Sequence, residues 1–327
     1  MRQIVAYGVR SDPHLVLTAR ALQSRGRELW CFDPTSAGSC AFTSVLGSAE
    51  AHLEVVSILS GGSRRVSVED AVVWVRNKAD PGPVHGPTTQ EIHVRVTERC
   101  AFLRGLLYGL GVHHFNSLES IHRNEEKVFQ LATAARLGLP LPTTAVTNCK
   151  RLISSHMERD GRGIVKPIRM SWVPGVVGKG TPGYRLMTSG VTLAEIEGAE
   201  ESAIASIPAI YQERIDADFE CRAIVTRHAS LFYRVDIPDE ARGAADLRLY
   251  HDRCGISQIQ PPDDIAAKLK LYLSEAGLAY GVFDLIVTRS SEWFFLECNA
   301  DGQWAWLTPG CDAIADAFAD LAAREAG

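Results

Sequence analysis

Gly281-Val-Phe-Asp-Leu-Ile-Val-Thr-Arg-Ser-Ser-Glu-Trp-Phe-Phe-Leu-Glu-Cys-Asn299 is the stretch on which the reading of this chain turns. Its arms, Gly281 to Thr288 and Trp293 to Asn299, are rich in β-branched and aromatic residues and flank the polar step Arg289 to Glu292, the pattern of a β-hairpin. A turn centred on Ser290-Ser291 sets Arg289 against Glu292. Counting outward from it brings Asp284 opposite Glu297, with Cβ atoms about 5 Å apart. Period-two alternation carries Asn299 onto the face of Glu297, so three oxygen-bearing side chains share one patch. Like charges opposed on a sheet repel, and a cation between them removes the conflict; ligands that are all oxygen suit magnesium or manganese rather than zinc. The plainer alternative is a pair of carboxylates on a solvated strand face. Against it, the same register places Val282, Ile286, Trp293 and Phe295 around the acids and Phe283, Leu285, Val287, Phe294 and Leu296 behind them. Both faces are apolar, as in a sheet covered on both sides, where an unpaired carboxylate is costly.

The 327 residues, 46% hydrophobic and 22% charged, have an ordinary globular composition with room for two or three domains. A formal charge of -5 gives nucleic acid no electrostatic footing. No apolar run approaches the roughly 20 residues of a membrane span, and the run from Met1 to Tyr7 is too short for a signal peptide, so a cytoplasmic protein is expected. Eight cysteines include no C-x-x-C pair, which argues for free thiols over a disulfide framework or a zinc knuckle.

Strand and helix alternate through the first 115 residues: a strand from Gln3 to Val9, a helix from about Pro13 to Arg25, strands from Glu28 to Asp33 and Ala71 to Val75, and a helix capped by Thr88 that ends near Gly111. The short strand Val112 to Asn116 closes this unit. The pattern predicts βαβ units on a parallel sheet. Asn124 is the expected N-cap of a helix from Glu125 to Leu137. The strand Ile164 to Ile168 carries one lysine and leads into a glycine-rich stretch from Pro174 to Gly190, then a capping box at Thr192 and Glu195. A third unit opens at Ala209, with strands Cys221 to Thr226 and Ser230 to Val235, a helix from Pro262 to Ala276 and the hairpin.

Several residues bear chemistry, each with an ordinary alternative. Gly178-Lys-Gly-Thr-Pro-Gly183 satisfies G-x-G-x-x-G, but it precedes the strand-like Tyr184 to Thr188 and opens no helix, so it is a phosphate-covering flap or a surface loop rather than a dinucleotide fingerprint. Lys166 interrupts an apolar strand, and Lys127 sits in a first helical turn, where a cation is disfavoured unless an anion binds there. Arg222 and Arg234 fall on adjacent strands of one sheet and suit phosphate or acyl-phosphate contacts, or else salt bridges to Glu220 or Asp236. His113 and His114 alternate across a strand and cannot easily share a metal.

In order, these pieces resemble the ATP-grasp ligases: Lys127 at a helix start, Lys166-Pro167 on a strand, a glycine-rich flap, Gln212-Glu213 at a hinge, Glu220-Cys-Arg222, then Asp284 and Glu297-Cys-Asn299. Glutathione synthetase and the ribosomal-protein glutamate ligases share that plan. The similarity is greater to the microviridin-type peptide ligases, the graspetide synthetases, whose E-x-N-P-x-G-Q-W-x-W signature is nearly reproduced from Glu297 to Trp306. It extends to Pro142 to Asn148 and Trp74-Val-Arg76. Two positions depart from the pattern: Ala300 where proline is usual, and Thr308 where glutamate is frequent.

The resemblance implies an α/β protein of ATP-grasp fold. A pre-ATP-grasp domain (1–115) would precede two α+β lobes that clasp ATP, a central one with the flap (116–210) and a C-terminal one with the metal site (211–327). It implies that Lys127, Lys166 and Lys179 hold phosphates, that Gln212, Glu213 and Ile215 grip adenine, and that Glu213 or Glu220 reaches the ribose. Asp284, Glu297 and Asn299 would hold Mg2+, or Mn2+, and Arg222 and Arg234 would stabilise the transferred phosphoryl group. The implied reaction activates a carboxylate as an acyl phosphate and transfers it to an amine or hydroxyl. Its substrate would be a ribosomally made precursor peptide, or alternatively free amino acids or a small carboxylate. The resemblance leaves room for a homodimer. A nucleotide-binding protein without catalysis is the reading from another class; it requires a missing ligand, and none of these is missing.

Overall fold

Strands form where the apolar runs stand. The computed structural model describes residues 1–33, 42–44, 51–76, 90–109, 111–157, 161–169, 172–173, 184–241 and 253–327. The first sheet comprises β1 (Gln3–Tyr7), β2 (Leu29–Phe32), β3 (Phe42–Ser44), β4 (Ala51–Ser57), β5 (Ser63–Ser67), β6 (Ala71–Val75) and β7 (His114–Phe115), in the order β3-β4-β2-β1-β6-β7 with β5 beside β4. The parallel sheet expected from the alternation is present in β2, β1, β6 and β7. The antiparallel β3–β4–β5 part was not anticipated. Its members carry little signal: β3 has three residues, and β5 is Ser-Arg-Arg-Val-Ser.

Helix α1 (Pro13–Gln23) begins with proline and is capped by Asp12, whose carboxylate accepts the His14 backbone N–H at 2.9 Å. Asp12 is buried, which alone would raise its pKa. The hydrogen bond from His14 and the charge of Arg76 outweigh that and bring it from 3.8 to about 2. A depressed carboxylate stabilises the fold fully above its ordinary value of 3.8, and the gain is lost as pH falls through about 2. Asp12→Asn is therefore expected to lose about 2 kcal/mol at neutral pH and progressively less below pH 4, with only a small difference left at pH 2, measured by urea unfolding across that range.

Helix α2 (Gln90–Gly109) crosses to β7; its expected cap, Thr88, lies outside the described residues. Two helices follow where one was expected, α3 (Leu118–Glu125), capped by Ser117, and α4 (Lys127–Arg136). Asn124 is thus no N-cap. It is buried in the last turn of α3, with Nδ2 donating to the Cys298 carbonyl at 2.7 Å and Oδ1 accepting from the Tyr272 hydroxyl at 2.9 Å. The long-range bonds outcompete the local cap.

The central lobe contains β8 (Thr144–Thr147), α5 (Lys150–Met157), β9 (Arg162–Lys166), β10 (Trp172–Val173), β11 (Tyr184–Arg185), β12 (Ser189–Thr192), α6 (Leu193–Gly198), α7 (Glu201–Ser206) and β13 (Ala209–Glu213). Its main sheet has the order β12-β9-β13-β8, so β13 completes this sheet rather than opening the next. Thr192 and Glu195 form the expected capping box. The strand expected through Thr188 stops at Arg185; β10 and β11 pair antiparallel, and the G-x-G-x-x-G segment between them, with Lys179, lies outside the described residues.

The last sheet comprises β14 (Ala217–Thr226), β15 (Ser230–Asp236), β16 (Ile256–Ile259), β17 (Tyr280–Thr288) and β18 (Trp293–Asn299), in the order β16-β15-β14-β17-β18. Helix α8 (Asp263–Ala276) contributes Leu269, Tyr272 and Leu273 to the core containing Phe283, Leu285 and Phe295. On the other side α9 (Cys311–Glu325) packs on α1, and its Phe318 stacks on both Trp74 and Trp304. Asn116 fastens the first sheet to the last. Its Nδ2 donates to the carbonyls of Tyr280 and Ala300, both at 2.9 Å, and its Oδ1 accepts the Ala279 and Tyr280 N–H groups at 2.6 and 3.2 Å. Asn116→Ala leaves those buried groups unsatisfied and is expected to cost about 2–4 kcal/mol, read as a lower urea midpoint. Among the described residues no helix is long and apolar enough to cross a membrane.

Candidate active site

Asp284 faces Glu297 across the hairpin, but by a different count from the one its sequence suggests. The Thr288 N–H donates to the Glu292 carbonyl at 3.0 Å, closing a three-residue loop, Arg289 to Ser291, with Ser291 at φ 63°. Arg289 therefore does not face Glu292, and the pairs next to the loop are Val287 with Trp293, Ile286 with Phe294 and Leu285 with Phe295. Continued, that register would set Leu296 against Asp284. A β-bulge absorbs Leu296 and restores the pairing of Asp284 with Glu297, followed by Phe283 with Cys298 and Val282 with Asn299.

The bulge also corrects the expected faces. Trp293 and Phe295 lie in the core with Phe283, Leu285 and Val287, behind the acids, whereas Leu296 and Ile286 line a cavity beside them. One slipped residue exchanges the faces of a whole arm.

Asn299 Nδ2 donates to Glu297 Oε1 at 3.1 Å and lies 3.4 Å from Asp284 Oδ2. Arg222, opposite Asp284 on β14, forms an ion pair with it through Nη1 and donates through Nη2 to the Gln303 carbonyl at 2.7 Å. Burial pushes the Asp284 carboxyl up to about 6, Arg222 opposing and Glu297 adding to the rise. Burial raises Glu297 too, but the Asn299 hydrogen bond and the charges of Lys127, Lys166 and Arg222 outweigh it and hold Glu297 below its usual range. Lys127 begins α4 and donates to the Pro167 carbonyl at 3.2 Å; Lys166 ends β9 beside Ile210. Three cations from three elements thus act on one carboxylate.

The donor set fits a hard cation. It is two carboxylates and an amide, all able to offer oxygen once the Asn299 amide turns over. Magnesium takes few protein ligands and completes its shell with water and phosphate oxygens. Accordingly, no cluster of three His, Cys, Asp or Glu side chains is found among the described residues.

The cavity, about 610 Å³, is of ligand size. Ile164, Ile215, Ile286 and Leu296 give it apolar walls, Gln212 and Glu213 an edge, and Glu220 a carboxylate. Gln212 is buried; its Nε2 donates to Thr144 Oγ1 at 2.8 Å, while its Oε1 has no partner, an acceptor left for a ligand N–H. Glu220 lies two residues before Arg222 and Ile286 two after Asp284, so cavity and acid cluster share one sheet face.

Arg234 does not join them. The register sets it opposite Cys221, whereas Arg222 is opposite Tyr233, so the two guanidiniums lie on opposite faces. Arg234 donates to Asp236 Oδ1 at 2.6 Å and covers the Phe219 ring at 4.1 Å. His113 and His114 also diverge, to Glu325 and to the Val112 carbonyl. Sequence reading missed Asn124 and Gln130 as clamps on β18: Gln130 Oε1 accepts the Cys298 N–H at 2.8 Å, opposite the bond from Asn124. Polar residues expected on an amphipathic helix but buried here were the available signal. Ala300, where proline is usual in the resembling ligases, is buried and its carbonyl is held by Asn116, so the departure falls in the scaffold.

No family model matches the sequence, and no curated protein does either. Solved structures do. A RiPP-associated ATP-grasp ligase from Chryseobacterium gregarium, in complex with ADP and a leader and core peptide, superposes with a TM-score of 0.81 over 99% of this chain and 97% of that one, at 19% identity. The fold is ATP-grasp. The macrocyclase MdnC from Microcystis aeruginosa MRC, bound with precursor peptide MdnA, superposes with a TM-score of 0.76 over 98% of this chain and 99% of that one, at 19% identity. The ATP-grasp ligase PsnB, complexed with a phosphomimetic variant of a minimal precursor, Mg and ADP, follows at 0.71, 18% identity and 100% and 99% coverage.

Proposed function

We propose that this protein is an ATP-dependent carboxylate ligase that modifies a ribosomally made precursor peptide, joining Asp or Glu side chains to Ser, Thr or Lys as esters or amides. The observation that carries this is the continuity, on one sheet face, of the Gln212-edged cavity with the Asp284, Glu297 and Asn299 cluster, on which Lys127, Lys166 and Arg222 converge. Full-length similarity to peptide-bound ATP-grasp ligases supports the substrate class. The working division is an N-terminal domain (1–115), a central lobe that runs on through β13 to Glu213, and a C-terminal lobe from Arg214 onward, in a cytoplasmic enzyme.

Gln212, Glu213 and Ile215 take adenine, Glu220 the ribose, and Lys127, Lys166 and Lys179 the phosphates. Asp284, Glu297 and Asn299 would hold magnesium, which when bound would neutralise phosphate charge. A substrate carboxylate oxygen attacks the γ-phosphorus as the bond to ADP breaks, with Arg222 bearing charge on the transferred group. An amine or hydroxyl then attacks the acyl carbon, the bond from that carbon to the phosphate oxygen breaks, and inorganic phosphate departs while the nucleophile's proton passes to it or to water. Each linkage removes one water from the peptide. Arg234, on the far face, is left out. No protein nucleophile is required; positioning and electrostatics supply the rate.

Incubating the protein with MgATP and an acid- and Thr-rich peptide encoded beside it is expected to yield peptide lighter by whole waters in mass spectrometry, with matching ADP. Absence of MgADP binding in calorimetry would remove the ligase reading. Ligation of free amino acids with the peptide untouched would overturn the substrate class.

A further inference from the structure

A buried polar chain runs from the N-terminal sheet to the loop after Asn299. Asp12 Oδ1 accepts from His14 Nδ1 at 2.5 Å, and His14 Nε2 accepts the backbone N–H groups of Trp304 and Ala305 at 2.9 and 3.1 Å. A ring nitrogen that accepts twice fixes the neutral Nδ1–H tautomer. Arg76 Nε donates to Asp12 Oδ2 at 3.0 Å. Its Nη1 donates to the carbonyls of Asp301 and Gly302 at 3.0 and 3.2 Å and pairs with the Asp301 carboxylate. Only 1% of Arg76 and 2% of His14 is exposed, so these bonds act without competing water.

The bonds bracket one residue. Gly302 is held from one side and Trp304 from the other, and the carbonyl between them, on Gln303, receives Arg222 Nη2. The Arg222 guanidinium is thereby tied at two nitrogens, to Asp284 on its own sheet and to a loop that the N-terminal domain anchors.

We propose that His14 and Arg76 are positioning residues of the ligase: they fix the Gln303 carbonyl, which with Asp284 holds Arg222 in the orientation that phosphoryl transfer needs. This rests on the ligase reading. A chain that merely fastened two domains would contribute stability alone; this one ends on the guanidinium assigned to the transferred group.

The test uses the full chain with MgATP and the neighbouring peptide. His14→Leu, which removes the acceptor of two buried N–H groups, is expected to lower kcat about 10- to 100-fold with KM for ATP and the calorimetric affinity for MgADP within about twofold. His14→Gln, whose side-chain oxygen can accept, recovers most of that loss. Hydrogen exchange speeds at the Trp304 and Ala305 amides and stays slow in β17. In an Arg222→Lys background His14→Leu adds little further loss, because the effect passes through Arg222. Should His14→Leu not fold, Arg76→Lys, which keeps the charge but cannot span both carbonyls and Asp12, is expected to show the same split. Unchanged kcat with faster loop exchange overturns the proposal and leaves a domain fastener; so do equal losses of kcat and MgADP affinity with protection falling throughout. A wild-type chain that binds no MgADP overturns the ligase reading, and the proposal with it.

Discussion

Replacing Glu297 by glutamine is expected to lower kcat by about three orders of magnitude or more while the protein stays folded. Glutamine keeps the shape and an oxygen that can accept from Asn299 Nδ2, so the packing of β18 is retained. What it removes is the charge on which Lys127, Lys166 and Arg222 act. The oxygen set then keeps one carboxylate of two and loses half its negative charge for a divalent ion. In apo protein the change costs little, because a like charge beside Asp284 disappears together with the attraction. The contrast is measurable: unfolding free energy within about 1 kcal/mol of wild type, against loss of peptide-dependent ADP release and of the magnesium requirement for ADP binding. Retained turnover would refute the metal assignment.

Gly302→Ala is expected to damage both fold and turnover, by sterics alone. A Cβ at Gly302 would stand 2.4 Å from the Val282 Cβ and 2.8 and 3.0 Å from its two methyl carbons. Val282 cannot yield, being fully buried opposite Asn299 in the middle of the sheet. The loop must lift, and Arg76, His14 and Arg222 all bind it within three residues of Gly302. Overpacking of this kind costs about 1–3 kcal/mol in stability, and displacement of the Gln303 carbonyl is expected to lower kcat by about 100-fold. Val282→Gly in the same chain removes the Val282 Cβ together with both methyl carbons, and should return much of the lost kcat. A single variant as stable and active as wild type would show that the loop has slack the distances deny.

Legibility followed the range of the interactions. β1, β2, β6, β17, β18 and the Cys221 to Thr226 part of β14 announce themselves because short, largely apolar runs have few ways to be buried. Lysine inside such a strand, as at Lys166, is conspicuous for the same reason. The split between α3 and α4 was hidden because Ser117 competes with Asn124 for the cap, and only the distant Cys298 and Tyr272 decide between them. Arg234 was grouped with Arg222 by strand adjacency; their relative register, a one-residue matter, separates them. The chain from Asp12 to Asp301 joins residues more than two hundred positions apart, and nothing local distinguishes its members from ordinary charges.

The hairpin at Arg289 to Ser291 and the bulge at Leu296 form a parity pair. Counted outward from Thr288 and Glu292 with no bulge, Leu296 would stand against Asp284; the bulge returns Glu297 to that place and makes Leu296 a wall of the cavity. Deleting Leu296 would keep the two acids opposed but take away that wall, so the one residue the ladder does not need is one the cavity uses.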